Sequence, residues 1–572
     1  MRYRWLFAAE EPLLTERLRT ELELSPLLAQ CLVNRGVDEP ERAAAFLEPR
    51  LRGLSDPARL PNLEAAVNRL WRARERGEAI ALFGDYDADG VTATALLLQV
   101  LRALGWQVNC YLPHRLDEGY GLTRDAVANC LEKFPATVLL AVDCGSTATE
   151  TIRWLKTQAV DVIVLDHHQV ADPPPPAVAL VNPQLNSPGP GSLRELCSAG
   201  LAFKLAHGVV KEARRRGVEE ATRFDLRPLL DLVALGTIAD LVPVTGENRI
   251  LVSVGLERLN ALRRPGLRAL KEIAQINNSI GPFEVGFQLA PRLNAAGRLE
   301  DATEALDLLM EEELDPARRL ARSLDDRNRE RQNLERGIAE EVIGAVKARF
   351  NPKTDFVIVE GQLLWHVGVV GIVASRVLHE FYRPTIILGG DGYEWRGSGR
   401  SVEGFDLAEA LRQCDDLLVR HGGHAMAAGL TIDPRNLPAF RTRLNELARR
   451  ALKPEQLRPP LRLDARAGLA ELTEGQVREL ARLQPTGQGN PPVQVMVRRV
   501  ALRRPPVRMG REQQHVKFWV SEAGRTTEVV WWGGADKPQP SGTIDLACVP
   551  QINEFNGRTA VQLRLLDWRP SR

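Results

Sequence analysis

From residue 79 onward, short unbroken apolar runs alternate with longer stretches of helical periodicity. The runs are AIALFG (79–84), TVLLAVD (137–143), VDVIVLD (160–166) and AVALVN (177–182), each stopping at a glycine or a polar residue. Runs apolar on both sides and separated by helix-sized gaps predict a parallel sheet covered on both faces. In such sheets ligands sit outside the carboxyl ends of the strands. Residues 1–75, with Arg, Leu and Glu at helical spacing, read as a peripheral helical region. A Pro/Gly/Ser-rich stretch (172–192) reads as a surface loop, and helical pattern dominates to about 310. Asp315 before Pro316 reads as an N-cap with proline at the first helical position. The helix it opens runs to Arg349 and would be about 51 Å long at roughly 1.5 Å per residue. Its charge-rich, weakly amphipathic pattern suits a connector between domains.

A second α/β unit follows, with strands expected near 355–359 and 384–388 and a helix near 368–380. KPEQLRPPL (453–461) reads as a linker. Beyond it, the runs 493–502, 514–522, 526–533, 544–552 and 559–568 alternate and are separated by turn signals, which predicts a small barrel or sandwich. The expected organisation is a helical region (1–75), an α/β domain with a parallel sheet (76–314), a connecting helix (315–350), a smaller α/β domain (351–452) and an all-β module (453–572).

Composition narrows the class. A length of 572 residues implies about three to five domains. With 44% hydrophobic and 26% charged residues, a fibre or a disordered tail is excluded. No run of 18 uncharged apolar residues occurs, and the apolar run of the N-terminus is too short for a secretory signal. A soluble cytoplasmic protein without membrane association is expected. The seven cysteines (31, 110, 130, 144, 197, 414, 548) include no CxxC pair and predict reduced, mostly buried thiols. The net charge of +1 conceals an asymmetry. Residues 1–454 carry 57 Lys+Arg against 62 Asp+Glu, whereas 455–572 carry 18 against 12. A polyanion-binding surface is therefore expected in the C-terminal module.

The sharpest chemical signal is GDYDADG (84–90), which puts Asp85, Asp87 and Asp89 directly after an apolar strand. An EF-hand loop would need Glu at its twelfth position, which here is Leu96 inside a buried-helix pattern, so that reading fails. Three alternate carboxylates between a strand and a helix repel one another and call for cations. TVLLAVD ends at Asp143, and VDVIVLD ends at Asp166 followed by His167 and His168. Asp240 stands in an otherwise apolar window, ALGTIADLVPV (234–244). Oxygen-rich ligation with imidazole suits Mn²⁺ or Mg²⁺, and the number of acids allows two ions.

The set GDYDADG, VDCGS, LDHH and GTIADLVP, in that order, resembles the DHH phosphoesterase superfamily. The resemblance implies two-metal hydrolysis of phosphodiesters or phosphoanhydrides. It implies Asp87 and Asp89 as ligands, Asp143 as the bridging carboxylate, and His167 and Asp240 completing the second ion. Asp85 is a further candidate ligand, and His168 an orienting or substrate-facing histidine. Phe83 stands where some members carry a histidine, which implies one ion held by fewer protein ligands.

In the second α/β unit, RGSGRS (396–401) and HGGHAMAAG (421–429) are glycine-rich with embedded Arg and His. Such segments let backbone N–H groups approach an anion, with Arg400 as a planar fork for phosphate. WHVGVVGIVASR (365–376), which ends at Ser375 and Arg376, reads as a loop entering a helix. These segments resemble the DHHA1 substrate-binding domain, whose GGH signature matches Gly422, Gly423 and His424. Arg298 (LNAAGR) and Arg115 (LPHRLDEGYGL) resemble further phosphate-gripping motifs of the family.

LQPTGQGNPPVQV (483–495) and the β-rich module extend the resemblance to the RecJ-type exonucleases of the superfamily, whose extra domain is an OB fold. This implies a single-strand-specific 5′→3′ DNA exonuclease that releases 5′-mononucleotides in repair and recombination. It also implies single-stranded DNA as partner, a single-strand-binding protein and a helicase as candidate partners, and a monomer. RRVALRRPPVRMGR (498–511) carries six arginines and no acid, and four of ten tryptophans (519, 531, 532, 568) lie in the last 54 residues. That pattern suits strand binding, with at least two of the tryptophans expected in the barrel core. Deleting 455–572 is then expected to weaken binding of long strands while short oligomers are still cleaved. The alternatives are a phosphodiesterase for short oligoribonucleotides or cyclic dinucleotides, and a silent strand-binding protein, against which the intact acidic set argues.

Overall fold

The computed structural model describes residues 3–115, 117–185, 193–299, 301–390, 394–555 and 557–571. Residues 186–192 of the expected surface loop lie outside the described residues, as does Leu116 in the Arg115 motif.

The first sheet has five parallel strands in the spatial order Val108–Tyr111, Ile80–Gly84, Val138–Val142, Asp161–Leu165 and Ala179–Val181. The four expected strands are present. The added edge strand, Val108–Tyr111, was not anticipated because its NCY segment is polar and only half buried. The helix Ala88–Ala103 fills one face of the sheet with thirteen buried residues and packs on the helices Ser198–Arg215 and Leu230–Ala239. Such all-round apolar helices form only where both sides are covered.

The connecting helix spans Leu314–Arg349, 36 residues. Its N-cap is Glu313, not Asp315, which lies within the first turn, where an acid still complements the helix dipole. Its pattern looks weakly amphipathic because two different stripes are buried at its two ends. Ala317, Ala321 and Leu324 enter the core of the first domain. Ile338, Val342 and Val346 pack with Val370, Val373 and Val377 of the next.

That next unit is a five-stranded sheet ordered Arg420–His424, Ala427–Ile432, Trp395–Arg400, Thr385–Gly390 and Ile358–Leu363, with the helix Val370–Phe381 against it. The first strand starts at Ile358, later than the 355–359 expected from sequence. The glycine-rich RGSGRS and HGGH segments lie on strands of this sheet. The C-terminal sheet has seven strands, and the pairing of Ala501 and Leu502 with Ser521 and Val520 folds it back on itself as a barrel.

The expectation of a peripheral N-terminal region is corrected. Arg4–Phe7 is a strand paired in parallel with Pro460–Leu463, which begins within the last two residues of the segment read as a linker. Leu18, Leu28, Leu32 and Phe46 share one hydrophobic core with Val497, Phe518, Leu546 and Leu563 of the barrel. Leu63, Leu70 and Trp71 belong to the core of the first domain. The chain therefore crosses between two cores before its first sheet begins.

Candidate active site

Parallel strands end in register, and the backbone extends that register one residue beyond the sheet. Asp85 N–H donates to Val142 O, Asp143 N–H to Leu165 O, and Asp166 N–H to Val181 O. Three buried carboxylates are thereby aligned along the carboxyl edge. Asp143 holds a left-handed backbone, φ 65°, rare for a residue with a side chain and worth about 1–3 kcal/mol of strain.

The other groups are delivered by helices. Asp87 caps the helix Ala88–Ala103, accepting from Asp89 N–H at 2.9 Å and Gly90 N–H at 3.1 Å. Asp89, one step into that helix, accepts from Ser198 N–H at 2.7 Å and Ala199 N–H at 2.9 Å, both at the start of the helix Ser198–Arg215. Ser198 Oγ donates to Asp143 Oδ1 at 2.7 Å. Asp240 is the C-cap of Leu230–Ala239. That helix comes so close that a Cβ on Gly236 would lie 2.8 Å from Asp89 Oδ1 and 2.4 Å from Thr92 Oγ1. A glycine is required there.

His167 Nε2 lies 3.5 Å from Asp143 Oδ1, 3.5 Å from Asp240 Oδ2 and 3.9 Å from Asp89 Oδ2. Three sets of donors each fall within 4.8 Å of one another: Asp85/Asp87/Asp143, Asp89/His167/Asp240 and Asp143/His167/His168. All six expected metal ligands are brought together. Asp143 and His167 each belong to two sets.

His168 is held differently from His167. Its Nδ1 sits 2.8 Å from Asp166 Oδ1, and Asp166 also accepts from Ser146 N–H. Asn182 Nδ2 donates to Ser146 Oγ and to His168 O, both at 2.8 Å. The other ring nitrogen faces the Tyr120 hydroxyl at 3.3 Å. Phe83, at the position of the family histidine, is fully buried and stacks on Tyr111.

The electrostatics fit cations. Burial, with Asp87 beside it, raises the Asp85 carboxyl well above its ordinary range. Burial and Asp89 do the same to Asp143, and burial and Asp89 push Asp240 up to about 9. Burial lowers the His167 imidazole. At His168, burial opposes the proton but the Asp166 hydrogen bond outweighs it, lifting the ring to about 9. Burial works against the Asp166 carboxylate too, yet the His168 bond holds it below the usual range. Asp85 Oδ1, His167 Nε2 and Asp240 Oδ2 are buried without a hydrogen-bond partner. Each unsatisfied group costs about 1–3 kcal/mol unless something binds it. Hard oxygen donors with an imidazole are the donor set of Mn²⁺ or Mg²⁺, so these residues fit such ions.

Across the cleft, the expected phosphate-binding residues divide. Arg298 Nη1 donates to Gly368 O at 3.3 Å, linking the two domains, and burial with Arg115 nearby lowers its pKa to about 10. The Arg115 guanidinium lies 5.2 Å from the Tyr86 ring centroid. Arg400 Nη1 donates to Ser398 Oγ at 2.9 Å, with Gly429 and Gly422 beside Ser398 in register. A Cβ on Gly422 would meet nothing within 4 Å, so this sheet face is bare backbone flanked by a guanidinium. Gly423 and His424 continue that edge strand, exposed. Ser375 donates back to Gly371 O, and Arg376 pairs with Glu335 of the connecting helix at 2.9 Å. The structure gives Ser375, Arg376 and Arg400 internal partners, whereas Arg298 and Arg115 lie close enough to Asp87 and Asp85 to act on them electrostatically.

Sequence reasoning missed Ser198, Ser146, Asn182, Tyr120 and Arg331. Tyr120 lay inside the quoted Arg115 motif. Ser198 and Asn182 gave no signal beyond a small polar residue at an element boundary. Arg331, bonded to Asn328 and Glu335 in the connecting helix, is hidden among many arginines.

The comparisons agree with this layout. Residues 79–237 match the DHH family N-terminal domain, 354–450 the DHHA1 domain and 463–567 the RecJ OB domain. The chain is 37% identical over 99% of its length to the single-stranded-DNA-specific exonuclease RecJ of Bacillus subtilis, covering 70% of that protein. It is 35% identical to the RecJ of Salmonella typhimurium, over 96% of each. A crystal structure of RecJ with Mn²⁺ from Thermus thermophilus superposes with a TM-score of 0.85 at 33% identity, over 100% of this chain and 80% of that one. A Mg²⁺ complex from the same organism gives 0.78 at 31% identity, over 100% of this chain and 79% of that one.

Proposed function

The chain belongs to the RecJ family of single-stranded-DNA-specific exonucleases, and on that premise we propose how its residues cleave a strand. It is a hydrolase acting on phosphodiester bonds of single-stranded DNA, with Mn²⁺ or Mg²⁺ as cofactor. The observation that carries the mechanism is the convergence of Asp89, Asp143 and Asp240 on His167 Nε2 from four separate segments. Asp85, Asp87 and Asp143 would hold one ion and Asp89, His167 and Asp240 the second, with Asp143 as the shared carboxylate. When bound, such ions supply Lewis acidity and make water a competent nucleophile near neutral pH.

The remaining work is done by the chain itself. His168, held at Nδ1 by Asp166 and facing Tyr120 through its other ring nitrogen, is the orienting or substrate-facing histidine. Arg298 and Arg115 grip the phosphates entering the site. Arg400, Ser398 and the bare Gly422–Gly423 edge receive the terminal phosphate, which sets 5′→3′ polarity and release of 5′-mononucleotides. The Arg298–Gly368 contact keeps the cleft narrow, which excludes duplex. The OB domain match disfavours the alternative of a phosphodiesterase for short oligoribonucleotides or cyclic dinucleotides. Repair partners (a single-strand-binding protein and a helicase), a monomeric state and a cytoplasmic location belong to the same proposal. No helix among the described residues is long and apolar enough to cross a membrane.

The test is digestion of 5′- and 3′-labelled single strands with Mn²⁺. Immediate mononucleotide release from the 5′ label only is expected, and Asp143→Ala is expected to abolish it. Immediate release from the 3′ label would overturn the polarity, and turnover by Asp143→Ala at high Mn²⁺ would overturn the shared-ligand role.

A further inference from the structure

The LQPTGQGNPP segment of the OB domain forms a closed turn that packs on the first domain just beyond Asp240. Asn490, fully buried, donates through Nδ2 to Leu483 O and Pro485 O at 2.8 and 2.9 Å. Gly487 and Asn490 exchange backbone hydrogen bonds. Arg35 Nε donates to Asn490 Oδ1 at 2.8 Å.

The turn is gripped from the first domain by Arg249, near the start of the helix Gly246–Asn260. Its side chain is buried without a carboxylate partner among the described residues, and its donors go to carbonyls alone: Phe46, Leu483, Pro485, Arg482 and Gln484, at 2.7–3.2 Å. A guanidinium has five N–H donors, so none is left over. Burial with no carboxylate is costly, and an arginine engaged this way is dedicated to holding one backbone shape.

That shape meets the segment following Asp240. Val244 N–H donates to Gln488 O at 2.7 Å. A Cβ on Gly487 would lie 2.6 Å from Val244 Cγ2, and one on Gly489 3.1 Å from Pro243 Cβ. Asn248 Nδ2 donates to Pro243 O at 3.0 Å and to Glu195 O at 2.6 Å, tying the same segment to the strand of chain that enters the Ser198 helix. Asp240 itself has no side-chain hydrogen bond among the described residues, and its Oδ2 is buried unpartnered. Its carboxylate is therefore placed by its backbone and by the His167 imidazole 3.5 Å away. Leu241, next in the chain, has a φ of 60° and is exposed, so it provides no packing anchor. Leu241 N–H donates to Ile238 O and Val242 packs against the core of the first domain, and Pro243–Val244 then carry the segment onto the OB turn.

We propose that the 483–490 turn, with Arg249 and Asn490, is a positioning element of the metal centre that sets Asp240 through Pro243–Val244. The OB domain thus completes the site as well as carrying strand. This rests on the reading of Asp240 as a metal ligand. On this reading deletion of 455–572 removes the brace and also weakens cleavage of short oligomers, where the sequence reading expects that cleavage to persist.

The test uses the full chain and Mn²⁺ alone as probe. Gly487→Ala pushes a methyl onto Val244, and Val244→Ala removes the methyl it strikes. Gly487→Ala is expected to weaken Mn²⁺ binding, followed by titration of free Mn²⁺, by about 10-fold or more, the size of effect seen when a ligand's supporting partners are lost. The double variant is expected to return to within about 3-fold of the original protein, and strand affinity in EDTA is expected to hold within about 2-fold for all variants. Unchanged Mn²⁺ affinity in Gly487→Ala overturns the brace, as does a loss that Val244→Ala leaves unrepaired. An original chain that takes up no Mn²⁺ overturns the metal-centre reading itself, and the brace with it.

Discussion

Replacing Ser198 with alanine isolates one atom of the site. The Ser198 hydroxyl donates to Asp143 Oδ1 at 2.7 Å, with both residues buried, while its backbone N–H holds Asp89. Ser198→Ala deletes the first bond and keeps the second, and alanine at the first helical position costs nothing in helix propensity. A hydrogen bond to a charged group is worth about 1.5–3 kcal/mol. At about 1.36 kcal/mol per decade, that corresponds to roughly 10- to 100-fold. Asp143 is the carboxylate shared between the two proposed ion positions, so its free rotation affects both. The expected outcome is a 10- to 100-fold loss distributed between Mn²⁺ affinity and the single-turnover rate on a 5′-labelled strand. Excess Mn²⁺ recovers the affinity part by mass action but not the rate part, because a misdirected ligand stays misdirected when occupied. The stability of the metal-free protein to thermal unfolding falls by about 1–3 kcal/mol, the cost of leaving Asp143 Oδ1 buried without its donor. A variant whose Mn²⁺ affinity and rate both stay within threefold of the original would refute the claim that Asp143 is oriented by Ser198.

Further outcomes follow from the same geometry. The barrel tryptophans divide by burial: Trp531 is core, whereas Trp532 is 51% exposed and meets His515 edge-on at 4.6 Å. Trp532→Ala is expected to weaken long-strand binding by about 1–3 kcal/mol, measured by fluorescence anisotropy. Trp531→Ala instead lowers the melting temperature, at a cost of about 3–5 kcal/mol. Saturating Mn²⁺ at about 100 times Kd stabilises the protein by about 2.7 kcal/mol, read as a rise in melting temperature that EDTA reverses. That shift should vanish in Asp143→Ala. Gly266→Ala places a Cβ 1.9 Å from Leu308 O, far from the site, and is expected to cost about 1–3 kcal/mol in a urea melt while leaving Mn²⁺ affinity unchanged.

Much of the centre was legible because parallel strands leave their carboxyl ends along one edge. Once AIALFG, TVLLAVD and VDVIVLD were read as strands, Asp85, Asp143 and Asp166 had to be neighbours. The backbone bonds that carry the register past each strand end show why. Asp240 was legible as an oddity, an acid in an apolar window, but its meeting with His167 depends on how closely Gly236 lets one helix approach another. Arg400 and the GGH glycines were legible as a glycine-rich basic group, and the structure places them on adjoining strands of one sheet. Glycine pattern announces a bare backbone without saying whether that backbone is a turn or a strand.

Periodicity and residue type along the chain determined the domain order, the first sheet, the barrel and the acids that need cations, because each is a property of a few consecutive residues. Tertiary structure alone decided that the N-terminal helices complete the barrel core, that Ser198 and Asp166 orient the ligands, and that Arg249 holds an OB turn beneath Asp240. Those contacts join residues tens to hundreds of positions apart. Their existence depends on which surfaces pack together, and a local pattern carries no information about its distant partner.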